Sequence, residues 1–245
     1  MAERATAAAP ARPAALPLRL ESIRNGRLIA ASGVELVAKG IVIPTRTQTV
    51  PGLADTAQTA ATRSIRGRLL FPAPGTETDR YGVSRLHGRL DSPDGPSLAE
   101  ALLQNGAGYA DPTALPECRR EVLAAEGTAR QARRGIWAVD GALARAEAGD
   151  ALHARVGTFA VVEGRVSGVR KTRGITYLYF APPGHRALIV TVPTELDATI
   201  LRYGPDPAML RGTLIRVRGV VREDGGPVIA VRLPGQMDAV EERTR

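Results

Sequence analysis

The sequence predicts a mainly β protein with helices, an α+β chain in which one group of strands follows another. Three observations carry this reading. Short apolar runs recur between turn signals such as Asn25-Gly26, Ser32-Gly33, Asp94-Gly95 and Asp224-Gly225-Gly226. The clearest helical patterns fall in the middle of the chain, after the first group of strands. A stretch of small and polar residues, 139–157, then separates the two groups.

The elements follow in order. "LRLESI", "GRLIAASG" and "VELVAKGIVIP", within residues 18–44, read as a meander, because two Gly-containing turns break three apolar runs. "ADTAQTAATRSI", 54–65, reads as an alanine-rich helix. "RGRLLFPA" and "SRLHGRLDS" read as two more strands. "SLAEALLQNGAGYA" begins with Ser97 and carries Glu100 three residues on, the pattern of a capping box, and Asn105-Gly106 ends that helix. Residues 116–134 form a longer helix closed by Gly135. Trp137 is expected to plug the core beyond it. Five strands with helices appended match an OB-type barrel. The second group repeats the pattern. "FAVVEGRVSGV", "ITYLYFAP" and "ALIVTVP" are strands, "TELDATILRYG" a helix, and "TLIRVRGVV" with "PVIAVRLP" a closing hairpin. Two OB-type β-barrels in tandem are therefore expected, the first with helical additions.

Composition bounds the function. A net charge of +8, with arginine far outnumbering lysine, favours polyanionic partners, since arginine grips phosphate through two donors and stacks on bases. A GC-rich genome would also enrich arginine. Cys118 is the single cysteine, which excludes an internal disulfide and a cysteine-based zinc site. His87, His153 and His185 lie far apart in sequence, so no metal and no cofactor is expected. No run approaches the roughly 18 apolar residues of a membrane span. The Ala/Pro/Arg-rich residues 1–17 read as a disordered arm without a secretory signal. A cytoplasmic location is therefore expected, and a periplasmic one if the start codon lies further upstream.

"DRYG" before a strand, "DG" with a helix after it, a "GAGY" turn and a helix ending "ARRGIWA" occur in that order. With "VELVAKGIVIP", they make residues 18–139 resemble the staphylococcal nuclease (thermonuclease) family. The resemblance implies calcium-dependent phosphodiester cleavage, which needs oxygen ligands for a hard cation and arginines for the charge on phosphorus. Aligned through Gly33 and Gly40, the family's calcium-binding turn falls on "RNGR", Arg24 to Arg27. Its second acidic ligand falls on Val42, its water-handling glutamate on Thr45, and its two arginines on Val37 and Val83. Arg85 and Glu35, each two residues from a lost position, restore no metal site, because one carboxylate beside two arginines cannot hold calcium. No catalytic residue and no metal ligand is therefore expected. The resemblance implies a thermonuclease-like scaffold without chemistry, and a divergent phosphodiesterase is the alternative.

Residues 158–240 resemble, more loosely, OB domains that follow nuclease-like domains in bacterial proteins, through "IRVRG" and the "GGP" turn. After a linker, 140–157, they carry the candidate binding site, and residues 241–245 form a tail. Alternation in "ITYLYF" puts Tyr177 and Tyr179 on one face and Leu178 and Phe180 on the other. Arg170, Lys171 and Arg173 precede them, Arg165 lies just before, and Arg216 with Arg218 could extend the basic surface. Aromatic rings beside basic side chains compose a stacking platform for single-stranded nucleic acid. The other reading is that strands favour tyrosine and exposed arginines solubilise the sheet, which leaves a scaffold for a protein partner.

Overall fold

The computed structural model describes residues 16–47, 50–75, 77–78, 83–182, 184–196 and 206–240. Asn25 and Gly26, at φ 49° and 75°, reverse the chain within two residues. They join β1 (Leu18–Arg24) to β2 (Arg27–Ala30), and β3 (Glu35–Ala38) pairs beside β2. β4 (Ile41–Val42) is short, and α1 (Leu53–Ile65) turns Leu53, Ala57, Ala61 and Ile65 inward at helical spacing. β5 (Leu69–Pro72) returns antiparallel to β1. After β6 (Glu77–Thr78), the run expected as one strand is two. β7 (Ser84–Leu86) lies parallel to β3, whereas β8 (Gly88–Leu90) lies antiparallel to β5. A Cβ on Gly88 would collide with the Phe71 carbonyl oxygen, so this position admits only glycine.

α2 (Leu98–Gln104), β9 (Tyr109–Ala110) and α3 (Arg119–Gln131) follow. Ser97 is the N-cap of α2 but makes no side-chain capping bond, so the expected capping box is absent. The longer helix starts as a 3-10 turn at Pro116–Cys118 and ends at Gln131, with a second such turn at Gly135–Ala138. Trp137 is buried as expected, edge-on to Tyr109 at 5.5 Å between ring centroids.

The segment expected as a linker carries structure. β10 (Leu143–Arg145) pairs parallel to β11 (Phe159–Arg165), and α4 (Gly149–His153) lies between them in sequence. β12 (Gly168–Lys171), β13 (Ile175–Tyr179) and β14 (Ile189–Pro193) follow as an antiparallel run. The expected helix from Thr194 begins as a 3-10 turn at Thr194–Leu196, and its remainder lies outside the described residues, as does "DRYG". β15 (Leu214–Val220), β16 (Arg222–Glu223), β17 (Pro227–Ala230) and β18 (Met237–Ala239) complete the order. The expected closing hairpin is not between β15 and β17. β16 makes that hairpin, β17 runs parallel to β14, and β15 pairs with β11 and β18 in another sheet. Buried Val221 lies where the chain passes from one sheet to the other.

Strand outweighs helix, about 35% to 25%, in a mixed α+β structure with several sheets, none closed into a barrel among the described residues. Two apolar clusters fill it, one under α1, α2 and α3 and one between the sheets of β11 and β13. Among the described residues, no helix is long and apolar enough to cross a membrane.

The second cluster contains a misfit. Thr176 is fully buried, yet its hydroxyl has no hydrogen-bond partner. An unpaired buried hydroxyl costs about 1–3 kcal/mol. Thr176→Val keeps the shape and removes that cost, so it is expected to raise the unfolding midpoint in urea with the slope unchanged. A lowered midpoint would mean that the hydroxyl is satisfied.

Candidate nucleic-acid interface

The turn at Arg24 to Arg27 and residues 43–45 meet in space. A Cβ at Gly26 would stand 3.2 Å from both the Ile43 carbonyl oxygen and the Thr45 methyl group, so the "RNGR" turn rests on residues 43–45. The Arg27 guanidinium is bound to Glu35 at 2.8 Å. Val37 stands opposite Arg85 in the β3–β7 pair, and Arg85 opposite Glu77. Lys39 donates to Glu77 at 2.7 Å and holds that carboxyl below its usual pKa. The nearby carboxylates are thus neutralised by basic side chains. Among the described residues, no three His, Cys, Asp or Glu side chains group as a metal site. His153 meets a carboxylate, Glu223, at 2.9 Å, but as an exposed pair.

Arg216 and Arg218 correct the sequence reading, because they extend no basic surface. Both project from β15 toward α3. Arg218 is 2% exposed and donates to Glu126 at 2.9 Å, to Asp238 at 3.3 Å and to the Ala110 carbonyl. Glu126, 1% exposed, also accepts the Ala110 amide proton. Burial opposes the Arg218 charge, but Glu126 and Asp238 outweigh it and raise its pKa. Arg216 is tied to Glu163. Burial, followed by the neighbouring Arg216 charge, lowers the pKa of Arg130, which lies over Trp137 at 5.7 Å. Phe159 and Val161 pack beside this network on the first cluster.

The opposite sheet, in the order β12-β13-β14-β17-β16, presents the face that alternation predicts. Leu178 and Thr176 are buried, whereas Ile175, Tyr177 and Tyr179 are half-exposed on the other side. The two tyrosine rings stand 6.4 Å apart with planes within 13°. Arg170 is exposed directly across from Tyr177. Arg173 is exposed in the turn that the Thr172 hydroxyl closes on the Ile175 carbonyl at 2.7 Å. Lys171 pairs with Thr176, so alternation sends it to the opposite side of the ladder. Arg165 lies in the other sheet and donates to the Gly212 carbonyl at 2.6 Å. The structure therefore groups Tyr177, Tyr179 and Arg170, leaves Arg173 in the turn at the end of the same hairpin, and sets Lys171 and Arg165 apart.

Several residues of this face went unnoticed in the sequence. Ile189, Thr191 and Pro193 pair with Tyr179, Tyr177 and Ile175, and all are half-buried. Their alternation with buried Val190 and Val192 was a readable signal. A cleft of about 770 Å³ opens beyond Tyr179, between residues 180–182 and 184–189 on one side and Gly225–Pro227 on the other. A smaller one, about 390 Å³, lies at the other end beside Ile175, Pro193 and Arg232. The face is a shallow apolar track with arginine along one side and a depression at each end. No protein-family model and no curated protein matches the chain.

Proposed function

We propose that the protein is a non-catalytic binder of single-stranded nucleic acid, with a thermonuclease-like first unit, residues 18–139, and an OB-type second unit, residues 158–240. A shared pairing cycle supports the tandem fold. In the first unit, β1 pairs with β2, β2 with β3, β3 in parallel with β7, β8 with β5, and β5 with β1. In the second, β12 pairs with β13, β13 with β14, β14 in parallel with β17, β17 with β16, and β15 with β11. The two cycles are the same if β7 and β8, β11 and β12, and β15 and β16 each count as one bent strand. That shared order supports reading each unit as a five-stranded OB-type barrel. The loss of chemistry in the first unit rests on Val37, Val42, Thr45, Val83 and the "RNGR" turn, as the resemblance aligns them.

One observation carries the binding reading: the Tyr177–Tyr179 pair, half-exposed and parallel, with Arg170 opposite and on the same face. Bases stack on such rings whatever their sequence, and arginine meets the phosphates. The test is fluorescence anisotropy with a labelled single-stranded oligothymidylate across a salt series. Tyr177→Ala and Tyr179→Ala are each expected to cost about 1–3 kcal/mol with the salt slope unchanged. Arg170→Ala and Arg173→Ala are expected to lower that slope by up to roughly 0.7 each. The oligonucleotide stays intact with calcium present. Tyrosine variants that bind like the parent would sink the reading in favour of a protein partner, and calcium-dependent cleavage would restore the enzyme.

A further inference from the structure

We infer that the cleft beyond Tyr179 receives one unstacked nucleobase at the end of the strand that lies along the tyrosine pair. This rests on the binding face proposed above and adds to it a distinct site with its own ligand chemistry.

The cleft continues the face. Tyr179 belongs to both, and the residue paired with it on β12 is Gly168, so no side chain closes that flank of the ring. Its volume, about 770 Å³, falls among those of small-molecule sites, roughly 300–1,000 Å³. The walls are apolar: Phe180, Leu188, Ile189 and Pro227. Gly225 and Gly226 bring bare backbone to the rim, where amide and carbonyl groups can meet the polar edge of a base.

Charge selects among ligands. Among the described residues, no aspartate or glutamate lines the cleft, and the ionisable side chains there besides Tyr179 are the exposed His185 and Arg186. Arg186 meets Asp150 at 3.4 Å, but both side chains are largely in solvent, so the pair is screened and easily exchanged for a phosphate. A flat ring with an anionic tail suits an apolar slot with a cationic rim. A cationic ligand would meet Arg186 before it reached the carboxylate of Asp150. The smaller depression at the other end of the track carries a carboxylate, Glu195, together with Arg232, whereas the lining of the cleft is cationic only, so the two ends are not equivalent toward an anion.

The experiment uses the whole protein and tetrathymidylate, with versions that lack the base at the 5′ or the 3′ terminal position. Removing the base from one end is expected to weaken binding about tenfold, and removing it from the other end to change it little. Ala181→Trp, which fills the cleft, is expected to weaken the intact oligomer equally and to erase the difference between the two ends. Equal affinity for all three oligomers, with Tyr177→Ala still weakening them, would overturn the cleft and leave the platform standing. No binding of tetrathymidylate or longer oligothymidylate to the parent would remove both. If Ala181→Trp fails to fold, the comparison of oligomers on the parent decides alone.

Discussion

Glu126→Leu is expected to destabilise the protein by about 3–5 kcal/mol, the cost of leaving one partner of a buried ion pair uncompensated. Glu126 reaches across from α3 to Arg218 on β15 and also binds the Ala110 amide, so its loss strands a buried guanidinium and a backbone donor. Asp238 remains at 3.3 Å and limits the damage to Arg218. Equilibrium unfolding in urea measures the change. The double variant Glu126→Leu/Arg218→Met is expected to recover part of it, because the buried guanidinium goes and Asp238 keeps Arg119 at 3.2 Å, while the Ala110 amide stays without its acceptor. A loss below about 1 kcal/mol for the single variant would mean that water reaches the pair, at odds with its burial. Because Phe159 and Val161 pack on the same side of the sheet, the parent is expected to unfold in a single transition.

Gly106→Ala is the second large effect. Gly106 has φ of 68°, and a Cβ there would lie well inside contact distance of the Arg134 carbonyl oxygen. Gly135, at φ 54°, would drive its own Cβ into the Gly106 carbonyl, which already accepts the Ile136 amide at 2.9 Å. The turn after α2 and the turn after α3 thus touch backbone to backbone. A left-handed residue with a Cβ costs roughly 1–2 kcal/mol, and overpacking adds about 1–3. Thermal unfolding of Gly106→Ala is expected to show both. Gly33→Ala serves as a control, because that position is left-handed too but has open space around it. It is expected to lose only the smaller, backbone part. Equal losses at the two sites would show that the close approach carries no energy.

That glycine pair shows how much was legible. "NGAGY" and "ARRGIWA" could be read as helix ends, because a positive φ just past a helix is a local requirement met by glycine. Their contact could not be read, since they stand about thirty positions apart and nothing local couples them. The two segments equated with a calcium turn and a catalytic glutamate raise the same issue. Residue types let the sequence be read as lacking a calcium ligand set there, whereas the contact of Gly26 with Thr45 needed the folded chain.

Alternation decides the side of a strand on which a side chain emerges, and here the sequence sufficed. Tyr177 and Tyr179 emerge opposite Leu178, and Arg216 and Arg218 opposite Ile215 and Val217. What covers that side was decided only in three dimensions. One face remains half-open and presents aromatic rings. The other lies beneath α3, so arginines that looked like a binding surface became a buried clamp. Pairing partners were likewise beyond the sequence, and β17 joined β14 in parallel instead of closing on β15. Turns, caps and alternation depend on the dihedral angles and hydrogen bonds of a few neighbouring residues, which the sequence specifies. Coverage and strand order depend on which apolar faces meet across a hundred residues, and that is settled by the packing of the whole chain.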